Sequence, residues 1–177
     1  MKRILGVDPG LANTGWGVLD ADGTRLVHID HGTISTVADT EEQERLFIIF
    51  SGITELIQRY RPSLLGVEAL YFAKNRKSAI PVAQARGVVL VAAAKEGVHA
   101  ESHTPQDIKQ ALTGNGRAEK HQVQEMVRLL LGIEQIPKPD HAADALAAAI
   151  CCYHLHQFSA EEEKAKKLKT VGRRDVS

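Results

Sequence analysis

Four ionisable residues, Asp8, Glu68, His141 and Asp144, stand where this sequence needs hydrophobic core. Asp8 closes the run Arg3-Ile4-Leu5-Gly6-Val7-Asp8, and Glu68 closes Leu64-Leu65-Gly66-Val67-Glu68, so the wording Gly-Val-acid occurs twice. His141 and Asp144 lie three apart in the alanine-rich stretch Asp140-His141-Ala142-Ala143-Asp144-Ala145-Leu146-Ala147. An unpartnered buried carboxylate costs several kcal/mol or takes up a proton. A fold that gathers several of them relieves the repulsion most simply by binding a hard divalent cation. Two such ions about 3.5–4 Å apart activate a water and stabilise the leaving oxygen of a phosphodiester. The chemistry indicated is metal-dependent phosphoryl transfer.

The elements that must position these groups follow from pattern. Arg3–Asp8, Thr14–Leu19 and Arg25–Ser35 read as strands separated by the turn signals Pro9-Gly10 and Ala21-Asp22-Gly23, which predicts an antiparallel meander. Glu41–Tyr60 reads as a helix, with Leu46, Ile49, Phe50, Ile53, Leu56, Ile57 and Tyr60 at helical spacing. A short buried strand, Leu64–Glu68, follows the stop at Arg61-Pro62. Asn75–Lys95 is expected to be helical, then Val98–Ser102 a strand, then a short helix capped by Thr104 with Pro105 at its first position. Helices at Glu119–Leu131 and Asp140–Gln157 complete a single unit, residues 1–158. Residues 159–177 read as a charged, disordered tail. Strands first, then alternating helices and strands, predict a mixed sheet with helices packed on it.

Within that frame the glycines acquire a purpose. Residues two apart on a strand share a face, so Gly6 shares one with Asp8 and Gly66 with Glu68. Each glycine leaves space for a substrate or a helix backbone. His141 and Asp144 are neighbours on their helix and can project together, and the surrounding alanines let that helix sit close to the sheet. Taken singly, each group has an ordinary explanation. Asp8 before Pro9-Gly10 is a normal turn residue, Glu68 a strand-end acid, and His141 and Asp144 first-turn helix charges. Three separate apolar contexts that each carry an acid weaken those explanations jointly.

Bulk properties narrow the class further. At 177 residues, with 44% hydrophobic and 25% charged residues, the chain has the composition of an ordinary globular domain. No run approaches the roughly 20 apolar residues of a membrane span, and Met1-Lys2-Arg3-Ile4 leads directly into a strand rather than a signal peptide. Cys151 and Cys152 are adjacent, poor geometry for a structural disulfide. These features favour a reduced cytoplasmic setting. The formal net charge is zero, but Lys74 to Lys138 holds ten Lys or Arg against six Asp or Glu. That excess suits either a solvated face or a polyanion surface.

At the four ionisable residues the chain closely resembles the RuvC family of bacterial Holliday junction resolvases, within the ribonuclease H-like nucleases. The resemblance rests on Gly6-Val7-Asp8-Pro9-Gly10 with Thr14-Gly15-Trp16-Gly17, on Val67-Glu68 followed by Tyr71-Phe72-Ala73-Lys74-Asn75, and on Gln84-Ala85-Arg86-Gly87-Val88. It continues through Ala118-Glu119-Lys120, Gln122-Val123-Gln124 and Ala142-Ala143-Asp144-Ala145-Leu146-Ala147. What it implies is an α/β, ribonuclease H-like fold: a mixed five-stranded sheet with helices on both faces. It further implies a homodimeric, metal-dependent endonuclease that binds four-way DNA junctions and nicks two strands symmetrically, working beside a branch-migration helicase complex.

By that resemblance Asp8, Glu68 and Asp144 are metal-binding acids with His141 completing the set, and two Mg²⁺ or Mn²⁺ ions are expected per site. Some members carry aspartate where His141 stands. Imidazole is a softer ligand than carboxylate, which predicts stronger support from Mn²⁺ than from Mg²⁺. Lys109 and Lys120 match lysines near the scissile phosphate, where an ammonium holds phosphate as a point charge; each alone also reads as an ordinary surface lysine. Tyr71 matches an aromatic at the junction centre. Tyr71 and Phe72 beside Lys74, Asn75, Arg76 and Lys77 offer a stacking face next to cations, although two aromatics in such a run also suit a core.

Two other readings remain open on residues alone. A ribonuclease H-like nuclease acting on RNA–DNA hybrids would use the same acids. A junction-binding protein without cleavage would keep the loop and dispense with them. An actin-like phosphotransferase shares the Gly6–Gly10 wording but needs a second domain, for which 177 residues leave no space.

Overall fold

The computed structural model describes residues 1–69 and the backbone of 76–171, with side chains described for 79–157. Three antiparallel strands open the chain: β1 (Lys2–Asp8), β2 (Asn13–Asp22) and β3 (Arg25–Ser35). Helix α1 (Glu42–Tyr60) leads to β4 (Leu64–Glu68), which pairs parallel to β1, and α2 (Arg76–Lys95) leads to β5 (Ala100–His103), parallel to β4. Then come α3 (Pro105–Thr113), α4 (Lys120–Leu131) and α5 (Asp140–Val171). The five strands lie in the order β3-β2-β1-β4-β5, the mixed ribonuclease H-like sheet.

Strand alternation divides the core into two layers. Leu5, Val7, Val18, Leu65 and Val67 pack under α1 and α2 on one face. Ile4, Leu19 and Leu64 pack under α3, α4 and α5 on the other. That second face is where Gly6, Asp8, Gly66 and Glu68 point, and α5 lies directly on it, against β1, β2 and β4.

The contact is backbone on backbone. A Cβ at Gly6 would overlap the Ala145 carbonyl and lie 2.7 Å from the Ala149 amide nitrogen. At Gly66 it would lie 2.6 Å from Cys152 Cβ and 2.7 Å from the Ala148 carbonyl oxygen. At Gly15, paired with Asp8 across β1 and β2, it would overlap the His141 carbonyl. The space left by the glycines is therefore taken by helix backbone, and Ala142, Ala143, Ala145, Ala147, Ala148 and Ala149 are all buried there.

Element boundaries differ from expectation at three places. Strand β2 runs on past Leu19 to Asp22, so Ala21 and Asp22, expected in the turn, pair with Leu26 and Arg25, and the turn tightens to Gly23-Thr24. Strand β5 starts at Ala100 rather than Val98, because Gly97 adopts φ 71° and the Val98 N–H donates to the Ala93 carbonyl at 2.9 Å, so these residues close α2. Helix α5 continues through Val171 instead of ending at Gln157. Residues 160–169 are all Ala, Glu, Lys or Leu, among the strongest helix formers, and their shortage of large apolar residues does not stop a helix already started on the core. Residues 172–177 lie outside the described part. Among the described residues no helix is long and apolar enough to cross a membrane.

Gly6→Ala forces a methyl into the backbone of α5, and such overpacking costs about 3 kcal/mol or more. Urea unfolding of this variant is expected to show that loss, whereas a loss under about 1 kcal/mol would mean that α5 can move away from the sheet.

Candidate active site

The two acid-bearing strands run side by side in parallel, Val7 opposite Val67. Asp8 and Glu68 therefore emerge together at their carboxyl ends. Gly15 lets the first turn of α5 rest over the neighbouring strand, which brings His141 against Asp8: His141 Nδ1 lies 2.7 Å from Asp8 Oδ2. One turn along, Asp144 projects into the same space, and ligand atoms of Asp8, His141 and Asp144 all lie within 4.8 Å of one another.

Two lysines arrive on the helices that roof this space. Thr104 caps α3, its Oγ1 accepting from the Asp107 N–H at 3.1 Å while Asp107 Oδ2 accepts from the Thr104 N–H at 2.9 Å. That reciprocal cap fixes the start of the helix that carries Lys109. In α4, Gln122 Oε1 accepts from the Glu119 N–H at 2.8 Å, which places Lys120 at the first helical position. Lys120 Nζ donates to Asp144 Oδ2 at 2.9 Å and lies 3.7 Å from Asp140 Oδ2. The other oxygen of Asp140, Oδ1, accepts from Lys138 Nζ at 3.0 Å. Glu68, Lys109, Lys120 and Asp144 line one cavity of about 190 Å³, whose other walls are Pro105, Ile108, Val123 and Ala147.

The sequence reading found the acids and lysines but not this apolar wall, although the helical spacing of Ile108 and Leu112, and of Val123 and Val127, signals a buried stripe on each helix. The wall has an electrostatic effect. Burial, and then the nearby Asp8 and Asp144 charges, push the Glu68 carboxyl up to about 7, with Lys120 and Lys109 opposing. Burial also raises Asp8, restrained by its hydrogen bond to His141. The three acids thus have three different settings: Asp8 is hydrogen-bonded to His141, Asp144 accepts from the Lys120 ammonium, and the Glu68 carboxyl is pushed up by burial.

The donors are carboxylate oxygens with one imidazole nitrogen, a set that suits Mg²⁺ or Mn²⁺, and a bound cation would offset the rise that burial and the neighbouring acids impose on Glu68 and Asp8. The expected site residues Asp8, Glu68, His141, Asp144, Lys109 and Lys120 all converge. Of the expected DNA contacts, Tyr71, Phe72, Lys74 and Asn75 lie outside the described residues, and Arg76 and Lys77 open α2 without described side chains.

Residues 4–152 match the family model for crossover junction endodeoxyribonuclease RuvC. The chain belongs to the RuvC family. A RuvC from Rubrobacter xylanophilus is 53% identical over 89% of this chain and 88% of its own length. The structure of Thermus thermophilus RuvC is 34% identical and superposes with a TM-score of 0.83, covering 89% of this chain and 96% of that one. The same protein in complex with a Holliday junction substrate gives 0.82 at 34% identity, over 87% and 95%. As a member of the RuvC family, this chain is a crossover junction endodeoxyribonuclease.

The Glu68 shift has a consequence for stability. The unfolded chain releases this proton near the ordinary value of 4.5 and the folded chain near 7, so between them the folded state holds the extra proton. Metal-free stability then falls as pH rises through that window, by up to about 3 kcal/mol. Glu68→Gln removes the effect. Urea unfolding in chelator is expected to show the variant gaining on wild type at pH 8 relative to pH 5, whereas equal offsets at both pH values would contradict the shift.

Proposed function

We propose that this chain resolves four-way (Holliday) DNA junctions by paired symmetric nicks, through divalent-metal-dependent phosphodiester hydrolysis that leaves 5′-phosphate and 3′-hydroxyl ends, in DNA recombination and repair. The observation that carries the reading is the convergence of Asp8, Glu68, His141 and Asp144 with Lys109 and Lys120 at one end of a ribonuclease H-like sheet. Family membership supplies the substrate.

Asp8, Glu68, His141 and Asp144 would hold two Mg²⁺ or Mn²⁺ ions, which supply Lewis-acid activation of water and offset negative charge on the reacting phosphate. The chain's own residues do the rest. Lys120 is 55% exposed on its side chain and shared between Asp144 and solvent, so an incoming phosphate competes with Asp144 for its ammonium. Lys109, which lines the same cavity, adds a second cation to the phosphate. Ile108, Val123 and Pro105 keep that side dry, which strengthens both interactions.

Tyr71 and Phe72, with Lys74, Asn75, Arg76 and Lys77, would contact the junction, the aromatics stacking on unpaired bases and the cations meeting phosphates. A homodimer would place two sites against two like-polarity strands of a symmetric substrate. A branch-migration helicase complex would be its partner in the bacterial cytoplasm.

Cleavage of a synthetic mobile four-way junction tests the reading. Asp144→Asn is expected to lose paired nicks by about a hundredfold or more while still binding the junction. Lys120→Met is expected to lower the rate about a hundredfold with little change in affinity. Tight binding by wild type without cleavage in either metal would leave only a junction-binding protein. His141 predicts faster cleavage with saturating Mn²⁺ than with saturating Mg²⁺, and equal rates would count against an imidazole ligand.

A further inference from the structure

A second group of ligand-type side chains lies on the same face of the sheet, at its outer edge. Glu101 and His103 are two apart on β5 and share a face, and their pairing with Gly66 and Glu68 turns that face toward α5. Helix α5 supplies Cys152 and His156, four apart and hence on one side of the helix. Ligand atoms of Glu101, His103 and Cys152 lie within 4.8 Å of one another. The two oxygens of the Glu101 carboxylate face different neighbours. Its Oε1 lies 2.8 Å from His156 Nδ1, with exposed His99 also 3.9 Å from it. Its Oε2 faces inward, 3.9 Å from His103 Nε2 and 4.0 Å from Cys152 Sγ.

His103 sets this group apart from a chance cluster. Its side chain is only 6% exposed, and its Nε2, aimed at Glu101 and Cys152, has no hydrogen-bond partner. Leaving such an atom unsatisfied costs about 1–3 kcal/mol. Cys152 is fully buried and has a free thiol. Packing explains a buried cysteine or a buried histidine singly. It does not explain a carboxylate oxygen, an orphan imidazole nitrogen and a thiol converging on one point.

We propose that Glu101, His103 and Cys152 form a second metal site, distinct from the acid set, that takes Zn²⁺. Sulfur, nitrogen and oxygen donors from three residues, with a fourth position left over, match a tetrahedral zinc site and not Mg²⁺ or Mn²⁺. His156 is the outer partner that holds the Glu101 carboxylate in place. An entry path exists on that side, since Glu101 and His156 are 23% and 35% exposed. Burial lowers the His103 imidazole below its usual range, so it is neutral and ready to ligate. The Cys152 thiol, which burial raises, gives its proton to solvent as Zn²⁺ binds. The bound ion ties edge strand β5 to α5 one residue before Thr104, the cap of the helix that carries Lys109.

Titration of the full chain with Co²⁺ alone tests this, because Co²⁺ reports thiolate ligation by charge-transfer absorption. Wild type is expected to bind roughly one Co²⁺ per chain with that absorption, and Asp8→Asn with Asp144→Asn is expected to leave it intact. Cys152→Ala is expected to lose the charge-transfer band, and His103→Gln to keep it with affinity lowered about tenfold or more. Wild type without the band at saturating Co²⁺, or a band unchanged in Cys152→Ala, would overturn the proposal.

Discussion

The contact on which everything else depends is the one between the backbone of α5 and the glycine-paved face of the sheet. Helices ordinarily stand off a sheet by the length of their side chains. Here Gly6, Gly15 and Gly66 offer no side chain and α5 answers with alanines, so main chain meets main chain. The first turn of α5 is thereby held at the carboxyl ends of β1 and β4. His141 reaches Asp8, and Asp144 reaches the same space, only because Gly15 has no Cβ beneath His141. A residue with a side chain at any of these positions would lift the helix and separate the ligands, even though none of the glycines touches a substrate.

That geometry also explains how an acid cluster survives in a folded protein. Three carboxylates within a half-buried space repel one another, and the fold meets each with a different partner from a different element. The imidazole beside Asp8 comes from α5 itself, the ammonium on Asp144 from Lys120 of α4, and Lys109 of α3 joins Lys120 in opposing the rise that burial imposes on Glu68. Because the partners belong to separate elements, the site is electrostatically balanced only when α3, α4 and α5 are all docked. Its chemistry and its tertiary packing are therefore coupled.

Much of this was legible in the sequence, for a physical reason. The period of two in β1 and β4 puts Gly6 with Asp8 and Gly66 with Glu68 on one face, and the helical spacing puts His141 with Asp144. Both relations are local and need no knowledge of the fold. That the space above the glycines holds helix backbone rather than substrate was not legible, since either would demand a small residue. The full length of α5 is not legible from hydrophobic pattern, because large apolar residues thin out after Phe158 while Ala, Glu and Lys extend a helix readily. Strand β5 was read early because Val98 looks like strand and is held instead by the cap at Gly97. The group at Glu101, His103 and Cys152 escaped for a different reason. Its spacings, Glu-x-His on a strand and Cys-x-x-x-His on a helix, mean little until the register of β5 against β4 turns them toward each other.

The two ligand groups differ in donor chemistry in a way that keeps them separate on one helix. At the first turn of α5 the donors are carboxylates and an imidazole beside two lysines, a setting suited to strongly hydrated cations and to an anionic substrate. Eight residues later, about 12 Å along the axis at 1.5 Å per residue, the donors include a thiol away from any described lysine. A thiophilic ion is drawn to the second group and gains little from the first, while Mg²⁺ has no use for sulfur. Lys120 sharpens the distinction. By holding Asp144 at 2.9 Å it makes the first site costly to enter for any ion that does not arrive with enough charge density, or with a phosphate that draws the ammonium away. On the proposed function, cation and phosphate would therefore favour one another at the acid cluster through a single lysine, the one that holds Asp144.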